Sequence, residues 1–215
     1  AREALSLPKV PKSMLVVGGG VIGLEMGSVW SRLGSQVTVV EMLPQLVPGT
    51  DPQIAKLLQR SLVKQGLDIR LETKVEAADK KKGGFNISIS SKKGNEKVEA
   101  EVILVATGRR PQSTGLGLEA VGLAANQQGF LEVDENYQTN APGIYAIGDL
   151  IPGPMLAHKA SDEGVVCVER MAGQNASLNY NAIPAVTYTH PEVASVGRIE
   201  AALTAAKIPL AAGKF

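Results

Sequence analysis

The chain has 215 residues, with 22 lysines and arginines against 21 aspartates and glutamates, so its formal net charge at pH 7 is +1. This balance gives no electrostatic reason to expect nucleic acid or an anionic membrane surface as a partner. Apolar residues make up 44% of the chain, which suits a buried core and excludes a disordered chain. No apolar run approaches the roughly 20 residues that span a bilayer.

The first segment predicts a strand, a turn, a helix and a second strand. Residues 14–17 are a continuous apolar run, typical of a strand buried on both faces. Apolar residues recur at helical spacing over 22–33, and a second strand is expected over 36–40. Another helix begins at Asp51-Pro52, with aspartate at the cap and proline at the first position. This βαβα order predicts a parallel sheet.

Residues 68–101 predict an antiparallel β-meander. Apolar and polar residues alternate there, and two lysine-rich turn clusters at 80–84 and 92–95 separate the short runs. We interpret these lysines as solvated hairpin ends without a ligand. Residues 102–106 are again continuously apolar and predict another buried parallel strand.

The rest of the chain is rich in glycine and turns. We expect, in chain order, short strands at 130–133 and 144–147, a helix over 156–172, a strand at 185–188 and a short helix after Arg198. Cys167 is the single cysteine, so an internal disulfide is excluded. Its place on the apolar side of the long helix favours a buried small residue over a nucleophile.

The turn between the first strand and helix matches the dinucleotide fingerprint G-x-G-x-x-G at Gly18, Gly20 and Gly23. These glycines permit a tight turn, close approach to a pyrophosphate and close packing of helix on strand, and the helix N-terminus attracts phosphate. Glu41 ends the second strand, where a carboxylate accepts hydrogen bonds from an adenosine ribose and repels a 2′-phosphate. Together they predict a dinucleotide site, and the residues alone leave NAD and FAD both open. For Glu25 they favour a solvated position on the helix.

Five ordered motifs resemble those of the flavoprotein disulfide reductases. They are G-G-G-V-I-G-L-E-M-G at 18–27, A-T-G-R-R-P at 106–111, Y-A-I-G-D at 145–149, G-P-M-L-A-H-K-A at 153–160 and Y-T-H-P-E-V-A at 188–194. The last two make the chain similar to the dihydrolipoamide dehydrogenase branch of that family. The resemblance spans essentially the whole chain and corresponds to the middle of such an enzyme.

The resemblance implies an α/β architecture in three parts. Residues 1–115 would be a Rossmann-type NAD-binding domain with the β-meander as an insertion. Residues 116–180 would be the second portion of an FAD-binding region, and residues 181–215 the beginning of an α+β dimer-interface domain. A homodimer is expected for the full enzyme.

The resemblance also assigns cofactor-binding residues. Gly18, Gly20 and Gly23 would line the NAD pyrophosphate, and Glu41 would bind the adenosine ribose and favour NAD over NADP. Glu25 would lie near the nicotinamide carboxamide, and Gly108 would contact NAD through its backbone. For FAD, Asp149 would bind a ribityl hydroxyl, and Met155, Leu156 and Ala157 would direct backbone N–H groups to the flavin ring. His158 and His190 are interpreted as structural, and no metal is expected.

Members of this family pass electrons from a dihydrolipoyl dithiol of a 2-oxo acid dehydrogenase complex through a protein disulfide and FAD to NAD⁺. The resemblance places the redox-active cysteine pair and the His–Glu acid/base pair outside these 215 residues. We therefore expect no catalytic residue within this segment, and neither stable FAD binding nor lipoamide activity when it is made alone. The expected location is the mitochondrial matrix or a bacterial cytoplasm. A non-catalytic dinucleotide-binding module and an NADPH-dependent reductase of the glutathione reductase type are the alternatives.

Overall fold

The computed structural model describes residues 2–214, which fall into two compact units. The first contains the residues up to Gly108 together with those from Val186 onward, and the second is Arg109–Ala185. The elements, in chain order, are β1 (Ser13–Val17), α1 (Val21–Arg32), β2 (Gln36–Val40), α2 (Pro52–Lys64), β3 (Asp68–Arg70), β4 (Thr73–Lys81), β5 (Gly84–Ser91), β6 (Gly94–Ala100), β7 (Val102–Val105), α3 (Ala157–Met171), β8 (Ala185–Thr187), β9 (Val193–Ser195) and α4 (Glu200–Ala205). The cofactor domains with limits at residues 115 and 180 stay a prediction.

A four-stranded parallel sheet in the order β3-β2-β1-β7 forms the centre of the first unit. Val16 of β1 is paired in register with Val39 of β2 on one side and Leu104 of β7 on the other. The predicted apolar strands therefore pair with one another, as expected for runs buried on both faces.

The sheet of the first unit is covered on both faces. On one face, Val16 packs in a cluster with Leu24 of α1 and Leu58 of α2. On the other, Leu15 packs with Ile87 of the antiparallel β4-β5-β6 meander. Successive residues of a strand point to opposite faces, so β1 contributes to both cores. The predicted α/β fold, with a Rossmann-type sheet and a meander insertion, is confirmed.

The start of the meander differs from the prediction. Residues 68–70 form β3, which pairs in parallel with β2, Thr38 lying opposite Asp68. A strand that follows a helix from a neighbouring strand returns in the parallel direction, and three residues carry too short a pattern to show this. The meander itself begins at Thr73, and its two turns fall at the lysine-rich clusters, as predicted.

The predicted cap of α2 is present. The side chain of Asp51 accepts hydrogen bonds from the N–H groups of Gln53 at 2.8 Å and Ile54 at 3.4 Å, and Pro52 occupies the first turn. Such a cap satisfies donors that have no partner within the helix.

The second unit packs one helix, α3, against irregular segments. Its core is formed by Leu131, Tyr137, Ala146, Ile151, Val166 and Cys167. Cys167 is buried, and this burial raises the pKa of its thiol. Its interpretation as a buried small residue is confirmed.

The strands predicted at 130–133 and 144–147 do not form. An isolated antiparallel bridge joins Gln138 and Tyr145 instead. For residues 130–133, Asn126 and Asp134 explain the difference, because each side-chain oxygen accepts hydrogen bonds from backbone N–H groups two and four residues further on. Side chains of this type compete with a strand ladder for the backbone.

The end of the described chain holds three short elements. The predicted strand at 185–188 and the helix after Arg198 appear as β8 and α4, and β9, which was not predicted, pairs with β8. None of the helices within residues 2–214 combines the length and the apolar character needed to cross a membrane.

Candidate functional site

A pocket of about 340 Å³ lies at the carboxyl ends of β1, β2 and β7. It is lined by Gly18, Gly20, Val21, Ile22, Glu41, Leu43, Pro48, Ala106, Thr107 and Gly108. Ligands of α/β proteins bind at this edge of a parallel sheet. The structure thus brings together four of the predicted NAD-binding residues: Gly18, Gly20, Glu41 and Gly108.

The three fingerprint glycines differ in the space around them. A Cβ atom on Gly18, whose φ is +110°, would lie 2.4 Å from the carbonyl oxygen of Ala106, and one on Gly23 would lie 2.1 Å from the carbonyl oxygen of Gly18. Around Gly20 there is no atom within 4 Å of that position. Gly18 and Gly23 are therefore required by the protein's own packing, whereas Gly20 leaves room at the pocket for a ligand.

The N-terminus of α1 fits an anionic group. Gly20 is its N-cap and supplies no side-chain cap, and the first turn contains no acidic residue. The first N–H groups of a helix have no partner within it, and the helix dipole makes this end positive. With Gly20 open to the pocket, this end can hold the diphosphate of a dinucleotide.

Glu41 lies at the end of β2 and is 9% exposed. One carboxylate oxygen, Oε2, accepts a hydrogen bond from the N–H of Gly19 at 2.7 Å, and the other, Oε1, accepts one from the N–H of Leu43 at 2.8 Å. Each oxygen retains a second lone pair, so the carboxylate fits the hydroxyls of a ribose. Its bond to the glycine loop was not predicted, because sequence spacing does not show which amides a buried carboxylate reaches.

Glu25 is not among the residues that line the pocket. Its Oε1 accepts a hydrogen bond from the backbone N–H of Tyr188 at 2.8 Å, and its side chain is partly buried rather than free in solvent. The solvated position that the residues alone favoured is thus not what the structure shows. The contact with the nicotinamide carboxamide stays a prediction.

In the second unit, Asp149 lies in the short 3₁₀ turn Gly148–Leu150. The Nη1 atom of Arg109 is 3.7 Å from its Oδ2 atom, with side chains 58% and 44% exposed. An ion pair this long and this exposed contributes little. The carboxylate of Asp149 can therefore accept hydrogen bonds from a sugar-alcohol chain.

Residues 155–157 lead into α3. The N-cap, Leu156, has no side-chain cap, but its own N–H donates to the carbonyl of Pro154 at 3.0 Å. The N–H of Leu156 is thus already engaged, and the predicted contacts of Met155, Leu156 and Ala157 with a flavin ring stay a prediction. His158 is exposed, with Nε2 at 2.8 Å from the carbonyl oxygen of Pro184.

Sequence reasoning missed a buried ion pair next to Asp149. Lys159 and Glu163 of α3 are both fully buried, and their side chains are 3.1 Å apart. The spacing of four residues was visible in the sequence, but such pairs are most often on a solvated helix face. Only the packing of the second unit shows that they are inside.

A larger concavity of about 580 Å³ lies between β3 and the turn that joins β5 to β6. Arg70 there pairs with Asp68 and Glu96, and Lys92 pairs with Glu72. Its charges thus compensate one another, and its lining contains none of the fingerprint residues. Within residues 2–214, no group of three or more histidine, cysteine, aspartate or glutamate side chains is arranged to hold a metal ion.

Comparison with known proteins agrees with this geometry. The sequence model of the family described as "Pyridine nucleotide-disulphide oxidoreductase" matches residues 1–164. The chain is 49% identical over 214 residues to "Dihydrolipoyl dehydrogenase 1, mitochondrial" of Arabidopsis thaliana, covering 99% of this chain and 42% of that protein. It is 50% identical over 214 residues to "Dihydrolipoyl dehydrogenase 3" of Pseudomonas putida, covering 99% of this chain and 46% of that protein.

Among solved structures, LpdA from Mycobacterium tuberculosis superimposes with a TM-score of 0.84 at 30% sequence identity, covering 93% of this chain and 43% of that one. The chain spans less than half the length of the curated relatives it matches.

Proposed function

Because the chain belongs to the pyridine nucleotide-disulphide oxidoreductase family, we propose that it forms the nicotinamide-nucleotide-binding part, and a portion of the flavin-binding part, of a dihydrolipoyl dehydrogenase. The observation that carries the proposal is the pocket in which the free N-terminus of α1, the open space at Gly20 and the carboxylate of Glu41 meet. The identities of 49% and 50% to curated dihydrolipoyl dehydrogenases support it.

In this proposal the pocket binds NAD. The first-turn amides of α1 bind the diphosphate, which approaches the backbone at Gly20. Glu41 accepts hydrogen bonds from the adenosine ribose, and its negative charge opposes the additional phosphate of NADP. Gly108, with φ of +122° and no atom within 4 Å of a Cβ position, allows the nucleotide to lie against the loop that follows β7.

The second unit contributes to the flavin site. Asp149 would accept hydrogen bonds from the ribityl chain, and the N-terminus of α3 at residues 155–157 would offer its positive dipole end to negative charge on the flavin ring. FAD, when bound, supplies the two-electron chemistry that links thiol oxidation to reduction of NAD⁺. The residues described here bind and orient; the dithiol chemistry belongs to groups that this segment does not contain.

The wider setting follows from the same proposal. The electron donor is the dihydrolipoyl group of a 2-oxo acid dehydrogenase complex, and the enzyme is a homodimer to which the residues from 181 onward contribute. Residues 1–115 form the NAD domain, and residues 116–180 belong to the FAD region. Relatives with mitochondrial names and bacterial relatives support the mitochondrial matrix and the bacterial cytoplasm equally.

Two observations weigh against the alternatives. Glu41 disfavours an NADPH-dependent reductase, because a 2′-phosphate would meet its charge. Asp149 and residues 155–157 disfavour a module that binds a dinucleotide and nothing more, since such a module has no need of a second set of cofactor contacts.

The test uses the native protein that carries this sequence. Its flavin is identified after denaturation, and its reduction of NAD⁺ and of NADP⁺ by free dihydrolipoamide is followed by absorbance. We expect FAD, reduction of NAD⁺, and NADP⁺ reduced at least tenfold less efficiently. Absence of flavin, or a preference for NADP⁺, contradicts the proposal.

A further inference from the structure

A charged cluster inside the second unit has no part in the contacts proposed so far. The side chains of Lys159 and Glu163, one helical turn apart on α3, are both 0% exposed, and Lys159 Nζ lies 3.1 Å from Glu163 Oε1. Removing two charges from water is costly, and an apolar pair of similar volume is often as stable. Stability alone therefore does not account for this pair.

Both side chains bind the same residue, Gly148. Lys159 Nζ donates to the carbonyl oxygen of Gly148 at 3.0 Å. The N–H of Gly148 donates to Glu163 Oε2 at 2.7 Å. Gly148 has φ of +67°, and a Cβ atom there would lie 3.0 Å from the Cβ atom of Ala160. Both backbone polar groups of the residue directly before Asp149 are thus held by buried charges, in a conformation that favours glycine.

A tyrosine pair completes the cluster. The hydroxyl of Tyr180 donates to Glu163 Oε1 at 2.8 Å, and the hydroxyl of Tyr137 lies 3.1 Å from that of Tyr180. Glu163 therefore accepts from Gly148 and Tyr180 and pairs with Lys159. Tyr137 is buried and Tyr180 is 46% exposed, so the tyrosines close the cluster on its solvent side. Polar networks in which each member is hydrogen-bonded are rigid.

We propose that Lys159 and Glu163 are positioning residues that hold the Gly148-Asp149 turn, and so the Asp149 carboxylate, in the place where it binds the ribityl chain of a flavin. The inference rests on the proposed function, since it presumes that Asp149 faces FAD. A site of this kind depends on supporting groups that fix its binding residues.

Two variants separate positioning from stability. Glu163→Gln leaves Lys159 buried without a counter-charge, so we expect it to lower the melting temperature as well as FAD affinity. The double variant Lys159→Met/Glu163→Leu removes both charges at similar volume but leaves the buried N–H of Gly148 without its acceptor, so we expect it to fold with a smaller fall in melting temperature than Glu163→Gln. It nevertheless releases Gly148, and we expect its FAD dissociation constant to rise at least tenfold in the native protein after flavin removal.

Two further measurements distinguish positioning from a general defect. NAD⁺ affinity at the glycine loop should stay within twofold of wild type in the double variant. In an Asp149→Asn background, the double substitution should weaken FAD binding much less than in wild type, because residues that act through one another are not additive. Asp162→Asn, on the exposed side of the same helix, is the matched control and should leave FAD affinity unchanged.

A readout without flavin keeps the inference testable if the proposed function fails. Amide exchange of the native protein, followed by mass spectrometry of the peptides that contain Gly148, gives such a readout. The Gly148 amide should be protected in wild type and exchange at least 100-fold faster in the double variant. If the native protein binds no FAD but this difference is present, the proposed function is wrong and the hold on the turn is real. If the double variant keeps wild-type FAD affinity, or Gly148 stays protected, the positioning role is overturned.

Discussion

The carboxylate of Glu41 accepts a hydrogen bond from the backbone N–H of Gly19 at 2.7 Å, although 22 positions separate the two residues. The group predicted to bind the ribose thus also fixes the loop predicted to bind the diphosphate. A substitution at Glu41 therefore changes two things at once, nucleotide preference and loop geometry, and a test must separate them.

Glu41→Arg should weaken NAD⁺ binding and shift the ratio of NAD⁺ to NADP⁺ affinity toward NADP⁺ by at least tenfold, since a guanidinium pairs with phosphate where a carboxylate repels it. Calorimetric titration with both nucleotides measures the ratio. Glu41→Gln is the control: it loses charge and keeps its size, so both affinities should fall through the loosened loop, with a smaller change in ratio. An unchanged ratio in Glu41→Arg would place the ribose elsewhere.

Two glycine substitutions should have opposite effects. Gly23→Ala places a Cβ atom 2.1 Å from a backbone oxygen, and we expect overpacking to lower the free energy of unfolding by about 1–3 kcal/mol. Gly20→Ala meets no atom within 4 Å, so unfolding should be unchanged while NAD⁺ affinity falls at least tenfold. Thermal unfolding and NAD⁺ titration of both variants check this.

Gly27→Ala is the matched control for these substitutions. Its Cβ atom would lie 3.5 Å from Val37, an ordinary contact, and alanine is favoured over glycine inside a helix by about 1 kcal/mol. Stability should stay equal or rise, and NAD⁺ affinity should not change. A loss of NAD⁺ binding in Gly27→Ala, or its retention in Gly20→Ala, would contradict the assignment of the pocket.

Asp51→Ala should lower the free energy of unfolding by about 1 kcal/mol, because two N–H groups of α2 lose their acceptor. Urea unfolding followed by circular dichroism measures the change. Lys56→Ala, exposed on the same helix, should leave the midpoint unchanged. Equal midpoints for wild type and Asp51→Ala would show that the cap contributes nothing to stability.

Cys167 should react slowly with thiol reagents in the folded protein and rapidly after unfolding, because burial raises the pKa of its thiol. Because the folded pKa of the thiol is above its unfolded value, the stability that the protonated thiol contributes is fully present below the ordinary cysteine pKa. It is lost as pH rises from there through the folded value. Melting temperatures between pH 7 and pH 10 should therefore fall more in wild type than in Cys167→Ala. Rapid labelling of the folded protein at pH 8 would contradict the burial.

Features that depend on neighbours in sequence were predictable. The continuous apolar runs of β1 and β7, the Asp51-Pro52 cap and the glycine turn each carry their own signal, and the sheet and the pocket follow from their order. Because Glu41 follows β2 directly, the sequence predicted it at the same sheet edge as the glycines. In the structure, Glu41 and the glycines line the same pocket.

Features that depend on residues distant in sequence could not be predicted. The sequence at 130–133 looks like a strand, but Asn126 and Asp134 redirect the backbone into turns. β3 resembles the meander strands until its partner is known. Lys159 and Glu163 have the spacing of a surface pair, but both are buried, and they bind Gly148 and Tyr180, which lie 11 and 17 positions from the residues they contact.

The first turn of the meander, between Lys81 and Gly84, closes a hairpin and belongs to no pocket described above. Lys82 and Gly83 at its tip are exposed, and exposed loop tips accept inserted residues more readily than paired strands do. A short affinity tag or a fluorophore-bearing peptide inserted there should fold with the protein and leave NAD⁺ binding intact. The molecule thus offers an internal handle for attachment to a surface, one that needs neither terminus of the chain.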